Sequence, residues 1–276
     1  MTYFGFLALF VGIPIVILLI LTWWDKRRGI TMSARFDSFS PWWVLFIMII
    51  IAVIYTTPWD NYLVATRVWW YDVNLVTGYV IGWVPIEEYT FFIVQPIMTG
   101  LWLLFWMRRT TNSSFITPHS SFKESARLRI VVVGITAVFW AVMVAILISG
   151  WKPGTYLALE LSWALFPILI QLAFGFDILW YYRRLVLLGI LVPTVYLAFA
   201  DSLAIQAGTW TIDPQQSLNI FIGNLPVEEF IFFLLTNTLL VFGMTLALAA
   251  ESQPRLQQYK SRLTHQHDPQ TTESTS

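Results

Sequence analysis

Hydrophobic and polar positions divide the chain into seven apolar stretches, near 3–22, 42–57, 85–106, 130–149, 156–176, 185–203 and 226–250. Each approaches the roughly 20 apolar residues that one bilayer crossing needs, the second being the shortest. The pattern predicts seven transmembrane α-helices. The first stretch lacks the basic leader and small-residue cleavage pattern of a signal peptide, so it counts as a span. Beyond residue 250 the chain turns to Gln, Ser, Thr and basic residues. Residues 251–276 are therefore expected to form a disordered polar tail.

Composition agrees with lipid as the main solvent. Of the 276 residues, 57% are hydrophobic and 12% charged, with mean hydropathy +0.67. A soluble domain carries about 25% charged residues. Lys+Arg and Asp+Glu balance at 16 each, so no net field points to nucleic acid. The absence of cysteine excludes disulfides and thiol chemistry. Of three histidines, His265 and His267 fall in the tail and are not expected to be ligands; no metal site is predicted. Basic residues set the orientation. If the spans alternate, all of the 16 basic residues except Arg67 and Lys152 fall on one side, which is expected to be cytoplasmic. The N-terminus is then outside and the C-terminus in the cytoplasm.

The chain also repeats itself. A shift of 141 residues, without a gap, places Asp60, Trp69, Asp72, Gly82, Pro85, Glu87, Glu88, Phe91 and Phe92 on Asp201, Trp210, Asp213, Gly223, Pro226, Glu228, Glu229, Phe232 and Phe233. Pro14 finds a weaker match in Pro167. The expected architecture is all-α integral membrane, with seven transmembrane helices as a 3+1+3 parallel internal repeat. Residues 1–110 form the first unit, 111–152 the linker helix region, 153–250 the second unit and 251–276 the tail. A fourth span is needed to start the second unit in the first unit's orientation. Parallel repeats of this kind place sites at the repeat interface, so four glutamates are expected to converge on one central cleft.

Two readings compete for Pro85-Ile86-Glu87-Glu88 and its copy. Proline suits the first helical position and acids suit the first turn, beside unpaired N–H groups. That alone would make both segments ordinary helix starts. The pair, however, occurs twice at equivalent places and runs each time into Phe-Phe and a lipid-grade helix, with no Lys or Arg within ten residues. Ionisable groups in a membrane are costly and face a protein interior, which makes Glu87, Glu88, Glu228 and Glu229 the candidate catalytic residues. Successive helical residues point about 100° apart, so one of each pair can enter a cleft while its neighbour makes another contact. Phe91, Phe92, Phe232 and Phe233, with Gln95, are candidates for lining an apolar substrate, and aromatic faces tolerate a cation; the alternatives are lipid-facing or core packing for the four rings and an interhelical hydrogen bond for Gln95. Asp60 and Asp201 stand 27 residues before each pair and are read as supporting acids, with Asp72 and Asp213 in the outer segments; for these aspartates the alternative to a site role is an N-cap or turn former. Glu160 is expected to be interfacial, and Asp177, near Arg183 and Arg184, solvated.

Gly82-Trp83-Val84-Pro85-Ile86-Glu87-Glu88-Tyr89-Thr90-Phe91-Phe92 and Gly223-Asn224-Leu225-Pro226-Val227-Glu228-Glu229-Phe230-Ile231-Phe232-Phe233 resemble the paired motifs of the membrane-embedded lycopene cyclases. That family includes heterodimeric bacterial enzymes, archaeal fused chains and fungal cyclase–synthases. The resemblance implies a fused form and a redox-neutral isomerisation. An acid protonates the terminal double bond of a linear carotenoid, lycopene; the tertiary cation is attacked by the neighbouring double bond to close a ring; a base removes a proton, giving most readily a β-ionone ring. The chemistry asks for a neutral acid, a base, cation-tolerant walls and exclusion of water, which would trap the cation. It implies no cofactor, and no Gly-x-Gly-x-x-Gly fingerprint of the soluble flavin-containing cyclases occurs.

The expected partners are the lipophilic carotenoid and membrane lipid, with a homo-oligomer left open. The expected location is a bacterial or archaeal cell membrane. Alternatives are a small-solute or ion transporter of 3+1+3 topology, a cyclase of prenylated long-chain carotenoids, or a carotenoid hydratase. A transporter needs a hydrated polar path, whereas the repeated helices carry few polar groups beyond Gln95, Thr236 and Asn237. A retinal-binding protein is disfavoured because the last helix has no lysine.

Overall fold

The computed structural model describes residues 1–110 and 121–266; His267 lies outside them. Among the described residues, seven helices are long and apolar enough to cross a membrane. They are α1 (Tyr3–Arg27), α2 (Pro41–Ala65), α3 (Ile86–Arg109), α4 (Ala126–Ser149), α5 (Thr155–Tyr181), α6 (Arg183–Gln206) and α7 (Val227–Leu248). The protein is an all-α membrane protein.

Burial ranks these helices by position. In the most apolar window of α3 and of α7, 61% of residues are buried, against 6% in α4. The two Pro-x-Glu-Glu helices are thus central, packed on each other and jointly on α2 and α6, while α4 leans on α5 at the edge of the bundle. Outward faces stay apolar, with Ile54, Ile135, Ile148 and Val195 at 60% exposure or more. In water this would be an aggregation surface; in lipid it costs nothing.

Two elements differ from the sequence reading. Helix α2 does not stop near 57 but continues through Pro58 to Ala65. Proline costs a backbone hydrogen bond in a helix. The carbonyl that loses its donor is that of Ile54; around it, Thr57 Oγ1 donates to the Val53 carbonyl (2.7 Å) and Asn61 Nδ2 to the Thr57 carbonyl (2.9 Å), side-chain bonds that add to the helix on either side of the proline. The extension carries Asp60 into the helix and out of solvent. The expected disordered tail is helical over α8 (Ser252–Gln266). Arg255 anchors it: its guanidinium bonds both oxygens of Asp177, at 2.9 and 2.8 Å, and the Phe174 carbonyl at 2.6 Å. Asp177 is therefore buried and ion-paired, not solvated.

Proline also leaves a mark in α1. A π-helical turn spans Leu7–Gly12, just before Pro14, whose ring would crowd the carbonyl four residues back. The wider turn takes up that crowding.

The segments between α2 and α3, and between α6 and α7, fold into short strands. β1 (Trp69–Tyr71) pairs antiparallel with β4 (Trp210–Ile212), in the register Trp69↔Ile212, Trp70↔Thr211, Tyr71↔Trp210. β2 (Val80–Ile81) and β3 (Val84–Pro85) form a hairpin, as do β5 (Phe221–Ile222) and β6 (Leu225–Pro226). Both hairpins turn on two residues whose first, Gly82 or Gly223, has φ of +69° or +66°. Glycine adopts that conformation without a Cβ clash. Pro85 and Pro226 end these hairpins and sit one residue before α3 and α7, not at the first helical position.

Candidate active site

The two glutamate pairs start α3 and α7 with all four carboxyls buried: Glu87, Glu88, Glu228 and Glu229 are at most 7% exposed. Within each pair the residues diverge. The N–H of Thr77 donates to Glu87 Oε1 at 2.6 Å, and that of Leu218 donates to Glu228 Oε1 at 2.6 Å. The first glutamate of each pair thus holds the loop preceding its helix. The second turns inward. Glu88 accepts from the phenols of Tyr3 and, at 3.0 Å, Tyr71; Glu229 accepts from the phenol of Tyr156 at 2.7 Å.

Glu88 and Glu229 line one cavity of about 40 Å³ together with Asp201, Phe91, Phe232 and Phe233. Trp69 and Trp210, from the paired strands, and Tyr3, Phe6 and Tyr71 complete its wall. Tyr71 lies outside the spanning helices. Burial, with Asp60 and Glu88 close by, pushes its phenol well above the ordinary value, so near neutral pH it is a hydrogen-bond donor. The cavity holds a few water-sized atoms; a six-membered ring needs its walls to move.

Asp60 is fully buried, and among the described residues neither carboxylate oxygen has a hydrogen-bond partner. It interacts electrostatically with Glu88 and Glu229, as does Asp201. Neither aspartate is a turn former. That description fits Asp72 and Asp213, which accept from the N–H groups of Asn74 and Gln215 at 2.8 and 2.9 Å.

Phe92 and Gln95 do not line the acidic cavity. They border a larger apolar pocket of about 220 Å³, of which Phe91 and Phe232 are also walls. Gln95 Nε2 donates to Asn237 Oδ1 (2.8 Å), and Asn237 Nδ2 to Thr194 Oγ1 (3.0 Å), a polar tie between α3, α7 and α6.

Three tyrosines escaped the sequence reading, and one glutamate was misplaced by it. Tyr3 and Tyr156 each precede their helix's matched proline, Pro14 or Pro167, by 11 residues, so the weak upstream match held the signal. Tyr71 falls opposite Ile212 in the repeat, where identity fails. Glu160, expected at the interface, is fully buried in α5, and among the described residues neither of its oxygens meets hydrogen-bond geometry. It stands one turn after Tyr156, close enough to interact with it and with Glu229.

The arrangement offers acids and hydrogen-bond donors in an aromatic-walled cavity beside a mostly apolar pocket. Comparison with known proteins gives the family of the chain. The family model described as lycopene cyclase matches residues 1–106 and 153–247. The chain belongs to the lycopene cyclase family. A lycopene beta-cyclase of Halobacterium salinarum is 34% identical over 247 residues, 89% of this chain and 95% of that protein. A bifunctional lycopene cyclase/phytoene synthase of Blakeslea trispora is 40% identical over 220 residues, 77% of this chain and 34% of that protein. The corresponding bifunctional protein of Aspergillus niger is 33% identical over 219 residues, 78% of this chain and 36% of that protein. No solved structure matches the chain. Within the lycopene cyclase family, an acidic pair at each of two buried helix starts gains a chemical context.

Proposed function

We propose that this protein is a lycopene cyclase that closes β-ionone rings by acid–base catalysis, with Glu88 and Glu229 transferring the protons. One observation carries the reading: two inward-facing glutamates from separate helix starts meet at one aromatic-walled cavity. Protonation of a terminal double bond needs a proton on one carboxyl; ring completion needs a second group to accept one. The surroundings of the two groups are unequal, as distinct acid and base roles require. Glu88 has two phenol donors, whereas Glu229 has one, with Glu160 beside it. Phe91, Phe232 and Phe233, with Trp69 and Trp210, offer π faces to the cation. Asp60 and Asp201 support the acidic cluster, and Glu87 and Glu228 fix the loops that roof it. The reaction is an isomerisation, so substrate and product have the same formula.

The same reading takes the bundle as two units, 1–110 and 153–250, in 3+1+3 order about a local twofold. Support comes from backbone details that recur 141 residues apart. Asp72 N–H donates to the Thr209 carbonyl and Asp213 N–H to the Val68 carbonyl, and β1 meets β4 in matching register. Left-handed residues recur as Arg67 and Gly208, Gly78 and Asn219, Gly82 and Gly223. The N-terminus is taken as external and the C-terminus as cytoplasmic, in a bacterial or archaeal cell membrane. The ligand is a linear carotenoid in contact with membrane lipid, and a homo-oligomer is compatible with the exposed faces. A solute carrier is not favoured, since the larger pocket beyond the acidic cavity is mostly apolar and the family match is to cyclases.

The test is replacement of each glutamate by glutamine in lycopene-producing cells, with pigments measured per unit of folded protein. Loss of a positioned acid or base costs about 10²–10⁴ in rate, so Glu88→Gln and Glu229→Gln should leave lycopene uncyclised. Glu87→Gln and Glu228→Gln should retain more activity. Undiminished cyclic product in both inward variants contradicts the assignment.

A further inference from the structure

The acidic cavity has no room for the body of a long polyene, so the rest of the substrate must lie elsewhere. Two larger volumes continue from it. The pocket of about 220 Å³ shares Phe91 and Phe232 with the acidic cavity. It shares Ile51, Tyr55 and Trp163 with a third volume of about 510 Å³, bounded by α2 and α5. That third volume opens on the outer face of the bundle, where Ile51 and Ile54 are 51% and 68% exposed. Shared walls therefore set the three volumes side by side between the glutamates and the lipid-facing surface.

The wall of this path is a run of nearly parallel rings. Tyr55 and Trp163 stack at 5.6 Å and 21°, Trp163 and Trp59 at 4.6 Å and 20°, and Trp59 and Phe232 at 6.0 Å and 4°. Phe232 belongs to the acidic cavity as well. Rings stacked on one another hold each other in place and make this wall a stiff, apolar one, suited to a long rigid hydrocarbon. Of the polar groups along the path, Gln95 Nε2 is engaged with Asn237, Gln171 Nε2 with the Leu239 carbonyl (2.9 Å), and Thr236 Oγ1 with the Phe232 carbonyl (3.0 Å). Among the described residues, Gln171 Oε1 and Trp163 Nε1 are buried without a hydrogen-bond partner, and the lining is otherwise mostly apolar and aromatic.

We infer that the cleft between α2 and α5 is the mouth and resting site of the polyene, which inserts one end toward Glu88 and Glu229 while its other end stays in lipid. The inference rests on the cyclase reading for the identity of the occupant. It goes further in naming one side of the bundle. The repeat does not supply the same wall on the other side: Trp59 and Trp163 correspond to Ala200 and Phe10 in the matched segments. Phe91 and Phe232 are then the partition that must turn to join pocket and cavity.

The absence of native cysteine gives a direct test. Ile51→Cys, at the junction of the two larger volumes, and Ile135→Cys, 67% exposed on α4, are purified in detergent and modified with benzyl methanethiosulfonate. Each sample is assayed with lycopene before modification, after it, and after reduction by dithiothreitol. Modification at position 51 should slow cyclisation at least tenfold and reduction should restore it, while modification at position 135 should leave the rate unchanged. Excess lycopene should also slow the thiol reaction in Ile51→Cys and not in Ile135→Cys. That protection should persist when Glu88→Gln and Glu229→Gln are added, so occupancy is read without chemistry. Equal cyclisation rates in the two modified variants, or no protection by lycopene, overturn the inference and leave the cyclase reading standing. Equal protection by a saturated hydrocarbon of similar length overturns it in favour of a lipid-chain site. Should no form cyclise lycopene, the cyclase reading fails, and the protection measurement alone still decides whether a polyene occupies the cleft. If Ile51→Cys does not fold, Ile54→Cys, in the same mouth, replaces it.

Discussion

Glu87 and Glu88 differ by about 100° around α3, and that rotation gives neighbouring, chemically identical side chains different partners. Glu87 meets a backbone N–H and Glu88 meets two phenols; Glu228 and Glu229 divide in the same way. Losing Glu87 leaves the Thr77 N–H without its carboxylate. Glu87→Ala should cost about 1.5–3 kcal/mol of stability, the range for a hydrogen bond to a charged group, read as a lower melting temperature in detergent. The proposed catalytic partner should respond differently. Tyr156→Phe keeps the ring and removes only the donor to Glu229, so it should slow ring closure about tenfold with little change in melting. A rate equal to the unmodified protein would mean that the Tyr156 hydroxyl does not position Glu229. The duplicated glutamates were legible in the sequence because identity and spacing both repeat. The three tyrosines were not, because tyrosine is unremarkable in an aromatic-rich chain and its role appears only when α1, α5 and β1 are brought against α3 and α7.

Elements were legible to the extent that hydropathy controls them. The seven apolar stretches correspond to α1–α7 because lipid demands both an apolar surface and internally bonded backbone. The pattern failed where polar groups become acceptable by pairing. Asp177 reads as solvated by its local sequence, yet Arg255, far along the chain, pairs with it and pins the first turn of α8 to the bundle. A similar pairing acts at the end of α3. Asp25 of α1 bonds Arg108 Nε at 3.0 Å and Arg109 at 2.7 Å, and Arg108 also donates to Thr22 at 3.0 Å. This cluster locks α1 to α3, and α1 carries Tyr3 to the acidic cavity. Asp25→Asn leaves a buried guanidinium short of its counter-charge, a change that costs about 3 kcal/mol or more. The variant should unfold at lower temperature in detergent while each folded molecule cyclises at close to the normal rate. An unchanged melting temperature would show that the cluster does not hold α1 in place.

For the whole molecule, a parallel repeat requires both helix starts to lie at the same membrane face, and the proposed orientation puts that face outside. The single substitutions Asn74→Cys and Gln215→Cys, in the two roofing loops, should react with a membrane-impermeant thiol reagent in intact cells. Lys123→Cys and Gln257→Cys should react only after permeabilisation. Reaction of one roofing loop without the other would break the parallel repeat. The most direct test of acid–base ring closure follows the proton itself. Purified protein is supplied with lycopene in H₂O and in D₂O, and the products are weighed by mass spectrometry after many turnovers. Proton transfer through Glu88 and Glu229 predicts a cyclic product of unchanged mass in H₂O and, since one deuteron enters and one proton leaves, about one mass unit heavier per ring in D₂O, with neither product formed by Glu88→Gln or Glu229→Gln. A ring that closes without solvent deuterium, or at full rate in both variants, contradicts it.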